Sequence, residues 1–257
     1  QRAGSFYEHY SLGAKLGAGA FAQVRIALPA NADHSDSAFC NRAVKIIDLR
    51  QNKQTPPGQR QPGDDEVDKR IMWEAKAELA VWKKASEGAG EYCIRLHEIF
   101  WDATCCYLVM ERCDSTLLDE LQCNVMTEYT LGKLFHQMVQ ALECLHRAEI
   151  VHRDVKPDNF LVNRGHQVKL GDFGLSATFV PGQSLKQVYG TAPFMSPEML
   201  KYGRYDEKTD VWSFGVMMYA LMFGNFPYFA QEKSSKAMKL AIRQGTPAPS
   251  YKPWVKP

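Results

Sequence analysis

The densest group of chemically capable residues is His152-Arg153-Asp154-Val155-Lys156-Pro157-Asp158-Asn159, followed downstream by Asp172-Phe173-Gly174. Asp154 can act as a base or an orienter for a hydroxyl. Asn159 and Asp172 offer oxygen donors suited to a hard cation such as Mg2+. Lys156 can neutralise charge on a transferring phosphoryl group. So many polar groups set between apolar stretches are poorly explained as loop caps alone. Further upstream, Leu16-Gly17-Ala18-Gly19-Ala20-Phe21-Ala22-Gln23-Val24 contains two glycines that let a backbone turn tightly and approach a phosphate. A simple turn explains those glycines equally well. Lys45 lies within Ala43-Val44-Lys45-Ile46-Ile47. Such a lysine either snorkels outward from a strand face or supplies a charge needed inside.

These residues need elements to position them. Val24, Ile26 and Leu28 alternate with Gln23, Arg25 and Ala27, which predicts a half-buried strand over Ala22–Leu28. Because that strand follows the glycines directly, the loop is expected in a hairpin rather than at the start of a helix. A polar turn, Pro29–Ser37, leads to a second strand, Arg42–Leu49. Residues 51–68 hold three prolines, two glycines and one large aliphatic residue, Val67, and are expected to form a flexible insert. Ile71, Ala75, Leu79 and Trp82 then mark a helix over Ile71–Ala85, broken by Ser86–Gly90. Strands are expected at Ile94–Phe100 and Cys105–Glu111. Beyond about residue 115 the pattern is mainly helical. Leu131, Leu134, Phe135, Met138, Leu142 and Leu145 form one amphipathic stripe with Thr127 as its cap. Val211–Phe223 is apolar nearly all round and is expected as a central buried helix, ended by Gly224 and Pro227. A strand-rich front and helix-rich back predict two lobes divided near Glu111–Ser115.

Composition narrows the choices. The chain has 257 residues, with 31 Lys and Arg against 29 Asp and Glu, a formal charge of +2. That balance leaves no electrostatic footprint for nucleic acid or an anionic membrane. No apolar run is long enough for a membrane span, and Gln1–Tyr10 lacks the apolar core of a signal peptide. The seven cysteines are odd in number and none are spaced as C-x-x-C. Zinc is therefore not expected; free thiols and a cytoplasmic or nuclear setting are.

Taken in order, the motifs are similar to those of a eukaryotic protein kinase catalytic domain. They are the glycine-rich loop, Ala43-Val44-Lys45, the His152–Asn159 run, Asp172-Phe173-Gly174, Gly190-Thr191-Ala192-Pro193-Phe194-Met195-Ser196-Pro197-Glu198 and Asp210-Val211-Trp212-Ser213-Phe214-Gly215. The resemblance runs from about Tyr10 to Trp254. Lys156, two residues after Asp154, with Thr191 available to bond both, resembles the serine/threonine type. Gly224–Phe229 is similar to the calcium/calmodulin-dependent group. The resemblance implies an α+β, two-lobed fold. Its N-lobe is small and β-rich with one helix, over residues 1–113 including the insert 51–68. Its C-lobe is larger and helical, over residues 114–257.

The resemblance also implies roles. Lys45 binds the ATP phosphates and pairs with a glutamate on the Ile71–Ala85 helix; Glu74 and Glu78 share a face, and the apolar continuation Leu79-Ala80-Val81-Trp82 favours Glu78. Asp154 is the catalytic base, Lys156 steadies the γ-phosphate, and Asn159 and Asp172 hold Mg2+. Leu16, Gly17 and Gly19 belong to the loop over the nucleotide, and Val24, Ala43 and Leu161 sandwich adenine. Met110 is the gatekeeper and Glu111–Cys113 the hinge. Trp82, Leu96, His152 and Phe173, anchored by Asp210, form a spine. A protein substrate is implied, together with control by a partner or a flanking segment. The family usually carries an activating Ser or Thr four residues before Thr191. Gln187 stands there, so its amide is expected to bond Arg153 and activity is expected without phosphorylation of the segment.

Ala22 replaces a third glycine, and Phe194-Met195-Ser196 stands where Tyr-Met-Ala is common. The family also has further helices toward its end, one of them pairing an arginine with the residue at Glu198, so a C-lobe short of these helices is expected. Two rivals remain. A pseudokinase scaffold is disfavoured by the intact Lys45, Asp154, Asn159 and Asp172. A small-molecule kinase is disfavoured by Gly190–Glu198, which builds a peptide-docking surface in protein kinases. Leu175 follows Asp172-Phe173-Gly174, and a γ-branched side chain there accommodates serine. Serine should be preferred over threonine by a modest factor, since one methyl group in a pocket is worth only ~1–3 kcal/mol. Asp158 should favour basic residues before the acceptor. A peptide array measures both; preferred threonine, or accepted tyrosine, would contradict the assignment.

Overall fold

Alternation at Val44, Ile46 against Ala43, Lys45, Ile47 determines what each face of the central strand meets. The computed structural model describes residues 4–19, 22–30, 41–50, 66–123 and 127–251. A five-stranded antiparallel sheet forms in the order β1-β2-β3-β5-β4. Its strands are β1 Tyr10–Ala18, β2 Ala22–Pro29, β3 Arg42–Asp48, β4 Leu96–Trp101 and β5 Cys105–Glu111. The first strand was not evident in the sequence because Tyr10–Ala18 alternates weakly and carries two glycines; only Tyr10 is buried. It pairs with β2 through Gly17↔Val24 and Ala18↔Gln23, so the glycine-rich segment does lie at a hairpin.

One face of this sheet is aromatic. Phe6, Tyr10, Phe100 and Tyr107 pack with Ala27, Val44, Ile46 and Val109. Phe6, from the short helix α1 (Phe6–His9), stacks on Tyr107 at 4.7 Å between ring centroids and an interplanar angle of 7°. Such pairs add about 0.5–1.5 kcal/mol to the apolar burial. The period of two sends Ala43, Lys45 and Ile47 to the opposite face. There Lys45 meets helix α2, Lys69–Gly88. Asp68 starts this helix, its carboxylate accepting from the N–H groups of Arg70 and Ile71. The buried stripe is Ile71, Ala75, Glu78, Val81, Trp82 and Ala85. Glu78, not the expected Leu79, occupies the inward position, because its charge is paired there. The expected helix break at Ser86 comes later, after Gly88. Most of the expected insert, residues 51–65, lies outside the described residues; Val67 bridges to Arg50.

Chain contacts divide the molecule into Gln1–Ser86 with Ile94–Asp114, and Glu87–Cys93 with Ser115–Pro257. The second unit is mainly helical: α3 Leu117–Cys123, α4 Glu128–Arg147, α5 Pro197–Tyr202, α6 Lys208–Phe223 and α7 Ser235–Gln244. Short strands pair between them, β6 (Ser115–Thr116) with β8 (Phe160–Val162) with β9 (Val168–Leu170), β7 (Ile150–Val151) with β10 (Ala177–Thr178), and β11 (Leu185–Lys186) with β12 (Arg204–Tyr205). Together the units give the α+β, two-lobed architecture. Thr127 caps α4 as expected, its side chain accepting from the Thr130 N–H. Leu134, Phe135, Met138, Leu142 and Leu145 are buried, and Phe135 meets Phe214 of α6 edge-on.

Helix α6 corrects one expectation. It is not buried all round: Val211 and Met222 are 55% and 57% exposed. It packs against α4 and the turn at Ala192–Phe194, where Phe214 and Met217 are covered, and Tyr219 is buried with its hydroxyl bonded to Ser250. Gly224 ends it in the left-handed conformation, φ 76°. The most demanding residue of α6 is Asp210, fully buried in its first turn. It accepts from the N–H groups of His152 and Arg153, both at 2.8 Å, and lies 2.9 Å from His146 Nε2. Asp210→Ala would strand these buried donors and should cost about 3–5 kcal/mol, by analogy with removing one partner of a buried charge network. The check is the shift in urea midpoint, with an Asp210→Asn variant falling between.

Candidate active site

In the first unit, the Lys45 ammonium meets Glu78 at 2.6 Å, with both side chains largely buried. Glu74, the other candidate, bonds Arg70 on the exposed side of α2. The packing of α2 thus separates two glutamates that helix spacing places on one face. Lys45 has Val24 on one neighbouring strand and Leu108 on the other. Met110 pairs with Ala43 and is buried. The Glu111 N–H donates to Arg95 O and the Arg112 N–H to Asn41 O. Leu16, Gly17 and Gly19 lie on and beside the β1–β2 hairpin, and a Cβ at Gly17 would meet nothing within 4 Å. Ala20 and Phe21 of this segment lie outside the described residues. Trp82 is buried with its indole N–H donating to Ile94 O at 2.7 Å, which satisfies the polar atom of a bulky residue. Cys106 lies on the same face of the sheet as Lys45. Burial and then the Glu78 charge push its thiol up to about 12, which disfavours the thiolate.

In the second unit, Asp154 is held from several sides. The Thr191 hydroxyl donates to Oδ1 at 2.8 Å, and Lys156 Nζ lies 2.7 Å from Oδ2. Lys156 also donates to Thr191 Oγ1 at 3.0 Å, closing a three-membered set. Asn159 Nδ2 donates to the Asp154 carbonyl at 2.8 Å and approaches Oδ2 at 3.3 Å. With its amide nitrogen so directed, the Asn159 carbonyl oxygen is turned the other way.

Two clasps register this loop against Asp172. The Gly171 N–H donates to Asn159 O, and His152 Nε2 donates to Gly171 O at 2.9 Å. Nδ1 of the same ring accepts from the Asp154 N–H, which defines the tautomer. Phe173 is fully buried, with its ring 5.8 Å from that of His152. The backbone at Asp172 is left-handed, φ 57°, a conformation that costs a non-glycine residue about 1–3 kcal/mol and persists only where neighbours enforce it. Leu161 lies on β8, half-buried and paired with Lys169, and Cys113 lies just past β5 in the first unit.

Asn159 and Asp172 fit Mg2+ on their chemistry. Both are hard oxygen donors, and among the described residues no group of three or more His, Cys, Asp or Glu forms a metal cage. Magnesium is usually held by one or two carboxylates together with substrate phosphates, so a cage is not what the ion requires. Ser196, a departure in the sequence, has a local reason. It caps α5 and accepts from the buried Thr209 hydroxyl at 2.9 Å. Among the described cysteines, Cys93, Cys105, Cys106, Cys113 and Cys144 are free thiols.

Residues 10–254 match the protein kinase domain family. The serine/threonine protein kinase OSK3 of Oryza sativa subsp. japonica is 32% identical over 86% of this chain and 40% of its own length. The carbon catabolite-derepressing protein kinase of Secale cereale is 33% identical over 86% of the chain and 41% of its own. Sperm motility kinase 3A of Mus musculus is 40% identical over 48% of the chain and 25% of its own. The chain belongs to the protein kinase domain family, and it spans about two fifths of the length of the first two relatives. That family generally uses ATP and Mg2+. Glu78→Gln should lower kcat/KM for ATP by about tenfold or more, ~1.4 kcal/mol at the barrier, while Glu74→Gln should stay within about twofold. Steady-state kinetics with ATP varied would make the comparison.

Proposed function

We propose that this chain is the catalytic domain of a serine/threonine protein kinase, moving the γ-phosphoryl group of ATP to a hydroxyl, serine preferred, of a protein substrate. The observation that carries this reading is the closed set formed by Asp154, Lys156 and Thr191. Asp154 orients the acceptor hydroxyl and accepts its proton, and Thr191 keeps the carboxylate in one plane while it does so. Lys156 presents a positive charge beside that carboxylate and so steadies the transferring phosphoryl group. Lys45, oriented by Glu78, binds the α/β-phosphates. Leu16, Gly17 and Gly19 bring backbone toward the phosphates without side-chain obstruction at the glycines. The resemblance assigns Val24, Ala43 and Leu161 to the adenine. It assigns Met110, Glu111 and Cys113 to the gatekeeper and hinge. Asn159 and Asp172 would hold Mg2+, which supplies charge that neutralises the phosphates. Little covalent chemistry is asked of the protein; positioning and electrostatics do most of it.

Free thiols among the described cysteines support a cytoplasmic or nuclear site of action. Control by a partner or a flanking segment belongs to the same reading. The test is phosphotransfer from labelled ATP to serine, threonine and tyrosine peptides, beside a thermal-shift measurement of nucleotide binding. Asp154→Asn and Asp172→Asn should each lower kcat by at least ~100-fold, because base positioning and metal charge act at the transition state. Asp154→Asn should still bind nucleotide. A wild-type chain that binds ATP and transfers nothing would replace this reading by the pseudokinase one.

A further inference from the structure

Arg153 is engaged both in the plane of its guanidinium and on one face of it. Its backbone is left-handed, φ 67°, with the N–H held by Asp210. In the plane of the guanidinium, Nε donates to Leu175 O at 2.5 Å and Nη2 to Ser176 O at 3.3 Å; Nη1 reaches the Tyr205 hydroxyl at 3.5 Å. The Tyr189 ring covers the face, 4.5 Å from guanidinium carbon to ring centroid. The Tyr189 hydroxyl donates to Gln187 Oε1 at 2.5 Å, and Gln187 is itself left-handed, φ 76°. This differs from the expected contact of Gln187 with Arg153: the amide bonds the tyrosine, and the ring meets the arginine.

The next two residues reach the reacting group. Gly190 has φ 104°, and a Cβ there would lie 2.5 Å from Arg153 O, so only glycine allows so close an approach. Thr191 then donates to Asp154. The chain therefore closes a loop from Arg153 through Tyr189, Gly190 and Thr191 back to Asp154. Its far side is tied by β11 pairing with β12, Leu185↔Tyr205 and Lys186↔Arg204. A delocalised, planar, weakly hydrated cation is well matched to an aromatic face. The Leu175 and Ser176 carbonyls take two of the in-plane donors of Arg153.

We propose that Tyr189 is a positioning residue: its aromatic face, in place of a phosphate, holds Arg153 and thereby sets Thr191 against Asp154. This rests on the kinase reading above. Gln187 buttresses the ring through its hydroxyl and is secondary.

The experiment compares Tyr189→Leu, Tyr189→Phe and Arg153→Ala in the whole chain, by amide hydrogen exchange over residues 185–191 and by kinetics. Leucine keeps bulk and loses the π face; phenylalanine keeps the face and loses the hydroxyl. Tyr189→Leu should lose about tenfold or more in both segment protection and kcat, with KM for ATP within about twofold, as expected for a change realised only in the transition state. Tyr189→Phe should stay within about threefold of wild type in both. Tyr189→Leu added to Arg153→Ala should change little further, since the two act as one contact. Phosphatase treatment of the wild type should leave kcat unchanged. Wild-type behaviour of Tyr189→Leu, equal impairment of Tyr189→Phe, additivity with Arg153→Ala, or a phosphatase-sensitive kcat would each overturn the proposal. A wild type without phosphotransfer overturns the kinase reading instead, and the exchange comparison still decides the role of Tyr189.

Discussion

The second unit is organised around one buried carboxylate. Asp210 has no exposed surface, and a charge so placed must be fully engaged or it destabilises the fold. It sits in the first turn of α6, where the helix dipole favours negative charge. From there it binds two successive backbone N–H groups, those of His152 and Arg153, and contacts His146 at the end of α4. Two adjacent N–H groups aimed at one carboxylate constrain the backbone tightly, and Arg153 adopts the left-handed conformation. The direction in which the chain leaves Arg153 follows, and with it the position of Asp154.

Backbone clasps extend that constraint to the rest of the half-site. The Gly171 N–H donates to Asn159 O and Gly171 O accepts from the His152 ring, so the Asp172 backbone is registered against the Asn159 loop by one main-chain bond and one side-chain bond. Phe173, the next residue, is fully buried with its ring against that of His152. The first unit solves a similar problem differently. An ammonium and a carboxylate face each other at 2.6 Å between a β-strand and a helix, each largely removed from water, so each accounts for the other's burial.

Apolar packing supplies most of the stability that these polar contacts require. The aromatic face of the sheet and the α4–α6 contact each bury large side chains, at about 25 cal/mol for every Å² removed from water. Net gain from the hydrogen bonds is smaller, roughly 0.5–1.5 kcal/mol apiece, but leaving any buried one unmade costs more. The polar network therefore selects one arrangement of a fold whose stability comes mainly from elsewhere.

Much of this was legible in the residues. Alternation predicted β2, strands were also expected at β3 and β5, and the 3.6-residue period with Thr127 predicted α4, because local pattern and burial agree there. Spacing put Glu74 and Glu78 on one face, and the apolar continuation after Glu78 favoured it as the partner of Lys45, although the apolar stripe placed Leu79 inward. The packing of α2 against the sheet put Glu78 in that inward position in place of Leu79, where Lys45 compensates its charge. Val211–Phe223 read as buried throughout, since hydropathy does not say how many neighbours a helix has. No local signal could have paired Tyr189 with Arg153, which lie far apart in the chain and meet through a left-handed turn and a cation–aromatic contact. The sequence by itself determined which chemical groups are available, in what order and on which kind of element. The tertiary structure decided which of them share one site, because burial forces each polar group to find a partner, and those partners come from distant segments.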